Sequence, residues 1–392
     1  MMLNNKNRIQ SIDLLRGMVM IIMALDHSRD FIHYGPTIDQ DPLNLATTSP
    51  VLFMTRWITH FCAPVFVFLS GTSIFLYGSK GKTKNEVAFF LFTRGLFLML
   101  AQIFIMAPLW DATLSHILLQ VIWAIGLCMV ILSALQFLPY KLLLVLGLVI
   151  VFSHNLLDSI VIDAPFWKSF IWAVVHQEHE FQINNNLLVI VGYPFLPWLG
   201  LMILGYCIGK LYLPEANAKA RKKLLQTLGI TAIFLFILVR CIDIYGDLNP
   251  WQYQRSLLFT LFDFIDTTKY PPSLLYILMT IGPALIVLPY LENNIGDSGI
   301  WKKIIVFGRV PFFYYMLHVA LIHAIALVIL FASGHSWNEL DFHREGALPY
   351  GSGNALWLVY VVWIVAICIL YFPCRWYSKY KASHKDWWLS YI

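Results

Sequence analysis

The sequence predicts an all-α polytopic membrane protein of about ten transmembrane helices, with the N-terminus and the C-terminus both cytoplasmic. Three observations carry that expectation. Of the 392 residues, 59% are hydrophobic and 12% charged, with mean hydropathy +0.69; a soluble domain carries about twice that charged fraction. The apolar residues form continuous runs, not the short alternating segments of a membrane β-barrel. Most of the 27 lysines and arginines fall in short loops that come to one side when the runs are threaded through a bilayer.

A crossing helix needs about 20 apolar residues. Such runs lie near 12–33, 52–78, 87–108, 113–136, 141–158, 190–212, 224–244, 272–291, 305–331 and 354–374. The first follows Lys6 and Arg8. It is too long for a signal peptide and no small-residue cleavage site follows it, so it reads as a retained span. The second and third flank Lys80, Lys82 and Lys84, and the fourth ends just before Lys141. The fifth starts at Lys141 and is interrupted at its far end by His154 and Asp158. The sixth and seventh flank Lys210, Lys219, Arg221, Lys222 and Lys223. The eighth and ninth flank Lys302 and Lys303, and the tenth runs to Arg375. Placing these basic segments inside sets the orientation.

The other side collects most of the acids, Asp39 and Glu345 among them, and nearly all of the histidines. That is the distribution expected of proton-transfer chemistry on the outer face. Long outer segments run through 34–51, 159–189, 245–271 and 332–353. Trp167, Trp172, Trp251 and Trp337 could anchor them at the interface, or the segments could form a lid over a polar cavity. Residues 1–375 read as one transmembrane domain. Residues 376–392, with Trp387 and Trp388 among basic residues, read as an interfacial tail. The six cysteines form no CxxC pair and read as inert buried thiols. A net charge of +5 held in short loops is a topology signal, and no nucleic-acid partner is expected.

The first span carries the most informative pair, Arg16 and His27. Eleven residues at about 100° each bring the second side chain back to within about 20° of the first, roughly 16 Å along the axis. Ionisable groups inside a membrane are costly and usually functional. A permanently charged, planar guanidinium suits a phosphate, and Arg94 lies at similar depth in the third span. His27 has Asp30 at i+3, close enough on a helix to orient its imidazole. Asp26 points about 100° away, toward a neighbouring helix. His60 starts the second span on its outer side, and His318 and His323 lie in the ninth behind Phe312-Phe313-Tyr314-Tyr315. No HExxH or comparable ligand spacing appears, so no metal is expected.

The run Ile9-Gln10-Ser11-Ile12-Asp13-Leu14-Leu15-Arg16-Gly17, followed by Met23-Ala24-Leu25-Asp26-His27, resembles the first span of the heparan-alpha-glucosaminide N-acetyltransferase-like family. That family belongs to the transmembrane acyltransferase superfamily, and the present chain looks like a bacterial member. Pro64-Val65-Phe66-Val67-Phe68-Leu69-Ser70-Gly71, Tyr193-Pro194-Phe195-Leu196-Pro197-Trp198-Leu199-Gly200, Tyr270-Pro271-Pro272-Ser273-Leu274-Leu275 and Phe307-Gly308-Arg309-Val310-Pro311 extend the likeness over most of the chain. Each motif is modestly specific; their order is more so. Where the bacterial branch carries paired arginines in the third span, this chain has Arg94 alone.

The resemblance implies a ten-span core that takes acetyl-CoA from the cytoplasm and passes the acetyl group to an extracytoplasmic sugar. It implies His27 as base and Arg16 near the CoA side. Arg94 would share the phosphates, His60 and Tyr193 would meet the acceptor, and His318 or Tyr193 would stabilise the oxyanion. The expected partners are acyl-CoA, a saccharide acceptor and the bilayer, which the lack of targeting signals suggests is a bacterial inner membrane. A homodimer is open. The competing reading is a proton-coupled transporter using the same polar path, with His27, Asp26 and Asp30 as the protonated groups.

Overall fold

The computed structural model describes residues 9–33, 41–111, 113–294, 299–341, 348–349 and 351–392. Lys6, Arg8, Asp39 and Glu345 lie outside the described residues. The chain is a helical bundle built around its first helix. Helix α1 (Gln10–Ile32) is buried along most of its length. It packs on α2 (Pro50–Thr59), α3 (Cys62–Gly78), α12 (Leu274–Asn294), α13 (Gly299–Arg309), α14 (Pro311–Ala332) and α15 (Leu356–Ser383). Helix α4 (Lys84–Ala101) runs through a π-helical turn, Gln102–Met106, into α5 (Ala107–Asp111). Helices α6 (Val121–Leu135), α7 (Tyr140–Ser153), α8 (Phe166–Val175), α9 (Phe195–Gly209), α10 (Ala218–Ile242) and α11 (Leu257–Ile265) complete the set.

Among the described residues, eight helices or helix pairs are long and apolar enough to cross a membrane. They match eight of the expected spans, and the protein is an integral multi-pass membrane protein. The other two expected spans correspond to α1 and α6. Helix α1 is less apolar because Asp13, Arg16, Asp26, Arg29 and Asp30 lie in it, and α6 is short, with 15 residues. The fourth run starts late because His116–Leu118 forms a strand, β1. It pairs in parallel with β3 (Leu187–Val191), which pairs antiparallel with β2 (His179–Asn184). This small sheet is absent from the sequence expectation: β2 and the start of β3 lie in the expected outer segment 159–189, whereas β1 and the end of β3 fall inside the fourth and sixth expected spans.

Two proline breaks shape the interior. Pro64 lacks the N–H that would bond the carbonyl of His60 four residues back. The second run therefore divides into α2 and α3 at His60, and the freed carbonyl accepts a hydrogen bond from the Tyr276 hydroxyl at 2.8 Å. Pro311 likewise separates the amphipathic α13 from α14. Close approach needs glycine where α13 crosses α1. A Cβ on Gly308 would sit 1.8 Å from the Asp13 carbonyl oxygen, and one on Gly17 2.2 Å from that of Ile304.

At the end carrying the basic loops, cytoplasmic by the positive-inside rule, Thr83 and Glu86 form a capping box that starts α4. Helix α15 passes through the expected tail boundary at 375 and continues to Ser383. Beyond it Leu389 is buried, and the Tyr391 hydroxyl lies 2.8 Å from Thr93 Oγ1 of α4. At the opposite end, the buried Arg240 guanidinium donates to the carbonyls of Phe264, Asn249, Asp263 and Asp266 at 2.7–3.0 Å. It thereby organises the segment before Tyr270. Trp167 and Trp337 are exposed, as interfacial anchors would be, whereas Trp172 and Trp251 donate to the carbonyls of Ile160 and Arg240.

Candidate active site

His27 lies in the outer half of α1, and its imidazole meets α14. Nδ1 of His27 is 2.7 Å from Nε2 of His318, with the two rings 10° from parallel. Nδ1 of His318 lies 2.9 Å from the carbonyl oxygen of Tyr314. A carbonyl can only accept, so His318 carries its proton on Nδ1. With both rings neutral, Nε2 of His318 is then a lone pair, and His27 must donate from Nδ1. Nε2 of His27 is left as a free base, with no hydrogen-bond partner among the described residues. Trp110 sits edge-on to His27 at 4.8 Å between ring centroids and Tyr315 at 6.0 Å. The π turn before α5 adds one residue to the helical phase on the way to Trp110. One turn further along α1, Phe31 stacks on Trp110 and His323.

Asp30 does not orient His27. Its carboxylate pairs with Arg29 at 2.5 Å. A buried carboxylate is stabilised far more by a guanidinium than by a neutral imidazole, so the i+3 spacing to His27 is overridden by its other neighbour. Asp26 turns to α2. It takes Nη1 of Arg56 on both oxygens at 2.9 and 2.8 Å, the Thr59 hydroxyl at 2.8 Å, and Arg29 at 2.7 Å. The result is a compact quartet of two arginines and two aspartates beside His27.

His60 is fully buried at the break between α2 and α3, edge-on to Tyr276, and neither ring nitrogen has a partner among the described residues. Tyr193 precedes α9, and its hydroxyl is 3.5 Å from that of Tyr270. Lys269 lies 5.0 Å from the Tyr270 ring centre. It is near enough for its charge to act on Asp26, His27 and His60 alike. With Arg29, Arg56 and Lys269 against Asp26 and Asp30, the surroundings of His27 carry one excess positive charge. That balance favours an anion forming there.

The second cluster is cytoplasmic. Arg16 is held by the protein: Ser73 Oγ at 2.6 Å, the Gly308 carbonyl at 3.2 Å, Asp13 at 3.4 Å and the Leu69 carbonyl at 3.5 Å. Arg94 differs. Its guanidinium stands 5.8 Å over the Phe90 ring, it feels the Arg16 charge, and it has no ion pair or hydrogen bond among the described residues. Tyr77, Tyr377 and Tyr391 surround it.

The structure thus brings His27, Asp26, His60, Tyr193 and His318 to one end of the bundle, and Arg16 and Arg94 to the other. Sequence reasoning missed Arg29, Arg56 and Lys269. The first two had a readable signal, since an arginine inside an apolar run needs an internal partner. Lys269 had none, because it reads as a loop residue.

These features define a class: a multi-pass helical membrane protein with an oriented histidine in one half of the bundle and two arginines in the other. A family model described as heparan-alpha-glucosaminide N-acetyltransferase, catalytic, matches residues 8–245. The chain belongs to that family, and is a membrane acetyltransferase. The match runs from before α1 to just beyond α10, so it includes Arg16, His27 and Arg94 but not His318. No curated protein matches the chain.

Proposed function

We propose that this protein transfers an acetyl group from cytoplasmic acetyl-CoA to a hydroxyl or amine of an extracytoplasmic sugar, with His27 as general base and His318 as its positioning residue. One observation carries the reading: an imidazole whose Nδ1 is fixed by a second histidine and whose Nε2 is free. In that state His27 can accept the acceptor's proton as the oxygen or nitrogen attacks the thioester carbonyl. The new C–O or C–N bond forms, the C–S bond breaks, and CoA leaves as a thiolate that takes up the proton. The excess positive charge of Arg29, Arg56 and Lys269 over Asp26 and Asp30 supports the oxyanion. With Nε2 of His318 committed to His27, the donors left for that oxyanion are Lys269 and the Tyr193–Tyr270 pair. His60, buried with both nitrogens unpartnered, is an acceptor contact.

At the cytoplasmic end Arg94 is the principal phosphate contact, since its guanidinium has no protein partner to give up among the described residues. Arg16 holds α1, α3 and α13 together behind it. An extended pantetheine arm bridges a distance on the order of the 16 Å that separates Arg16 from His27 along the helix. A bacterial inner membrane suits this arrangement, with acetyl-CoA on one side and a surface glycan on the other. The test is CoA release from acetyl-CoA by purified protein across a panel of sugars. Release that depends on both the sugar and His27 supports the reading. Solute movement in liposomes without acetyl-CoA binding would replace it with a carrier.

A further inference from the structure

Away from His27, the end of α7 and the end of α8 bring together His154, Asp158 and His176. One ligand atom from each lies within 4.8 Å of the other two. His154 is 2% exposed, and neither of its ring nitrogens has a hydrogen-bond partner among the described residues. His176 is equally buried. Its Nε2 meets Oδ1 of Asp158 at 2.7 Å, while its Nδ1 has no partner. An imidazole sealed from water with both nitrogens unsatisfied is unfavourable. A cation drawing on the lone pairs removes that cost.

We infer that His154, Asp158 and His176 bind a zinc-type transition-metal dication. Two imidazoles and one carboxylate are a donor set for zinc and its first-row neighbours, whereas magnesium and calcium take oxygen ligands. Tetrahedral bonds of about 2.0–2.2 Å place ligand atoms roughly 3.4 Å apart. The present separations, from 2.7 Å to no more than 4.8 Å, fall on either side of that value. The surroundings are those of a supported site. The Asn155 amide donates to Oδ2 of Asp158 at 2.7 Å and leaves Oδ1 for the metal. Asn155 Oδ1 in turn accepts from the backbone N–H of Leu274, at the start of α12, at 2.9 Å. Trp172 covers His176, with ring centroids 5.8 Å apart. Three protein ligands leave a fourth position for water. The metal ties the end of α7 to α8 and, through Asn155, to the first turn of α12. His27 chemistry does not pass through it. The sequence concealed the trio because His176 comes from a different element than His154 and Asp158, whose i,i+4 spacing alone is not a motif.

The experiment is metal analysis of protein purified without a histidine tag and equilibrated with zinc chloride, then washed. The wild type should retain about one zinc per chain, and its unfolding temperature should rise with zinc and fall with chelator, as ligand binding to the native state requires. His154→Gln, His176→Gln and Asp158→Asn should each lose at least about nine-tenths of the zinc and the thermal response. His27→Ala should keep both, which separates this site from the His27–His318 pair. Where a ligand variant does not fold, titration of the wild type with Zn2+ decides. A wild type that neither retains zinc nor responds to it thermally, or ligand variants that retain zinc like the wild type, overturns the assignment.

Discussion

Nδ1 of His27 and Nε2 of His318 lie 2.7 Å apart, although 291 residues separate them in the chain. Because His318 is itself anchored to the Tyr314 carbonyl, the pair has one proton arrangement with both rings neutral, and it leaves Nε2 of His27 free. His27→Ala should therefore lower kcat by about 100-fold to 10,000-fold, the usual contribution of a general base, while acetyl-CoA still raises the unfolding temperature. His318→Ala should lower kcat less and alter the pH–kcat profile, because the tautomer of His27 is no longer imposed. An unaltered profile would make His318 a packing residue.

The two cytoplasmic arginines should separate. Arg94→Ala removes a charge with no partner among the described residues. It should raise KM for acetyl-CoA about tenfold or more, with little effect on KM for the acceptor or on stability. Arg16→Ala removes one of the two arginines facing the buried Asp13 and the guanidinium that ties the Gly308 carbonyl of α13 to α1, so it should lower the unfolding temperature. Steady-state kinetics and thermal unfolding of both variants decide. Equal KM changes would return Arg16 to the phosphate site.

Asp26 anchors two arginines and a threonine. Breaking a buried ion pair from one side costs about 3–5 kcal/mol, so Asp26→Asn should be strongly destabilising. Asp30→Asn should cost less, because Asp30 holds Arg29 alone and its side chain is 26% exposed. Unfolding of the two variants in the same detergent tests the order.

Two carboxyls in the outer segments should make stability fall as pH rises. Burial, helped by Asp41, Asp247 and Asp263, pushes Asp266 up to about 7. Desolvation and the neighbouring Glu180 charge push Glu178 up to about 7, although the residue is exposed at the surface, so its share of the effect is the smaller one. The folded state thus holds these protons more tightly than the unfolded chain. Their stabilising contribution is complete below about pH 4 and is lost as pH rises to about 7. Asp266→Asn and Glu178→Gln should flatten that part of the stability–pH curve. A slope unchanged in the double variant would mean that neither proton is held.

The apolar runs made the helices legible, and the spacing of Arg16 and His27 placed both on one face of α1. Less was legible where tertiary partners decided. Asp30 had the right spacing for His27, but Arg29 is adjacent and carries a full charge. The partner of His27 came from α14, which no local pattern ties to α1. The break at His60 was foreshadowed by Pro64, whose missing N–H frees that residue's carbonyl. The strands were hidden because Leu187–Val191 is apolar and continuous with the α9 run, so length alone assigned part of it to a span.

The most direct test is transfer across a sealed bilayer. Purified protein in proteoliposomes is given radiolabelled acetyl-CoA on its cytoplasmic face, with a saccharide panel enclosed on the other. The account predicts free CoA outside and labelled acetyl-sugar inside for the wild type. It predicts acetyl-CoA binding without transfer for His27→Ala. Transfer by His27→Ala at the wild-type rate would contradict it.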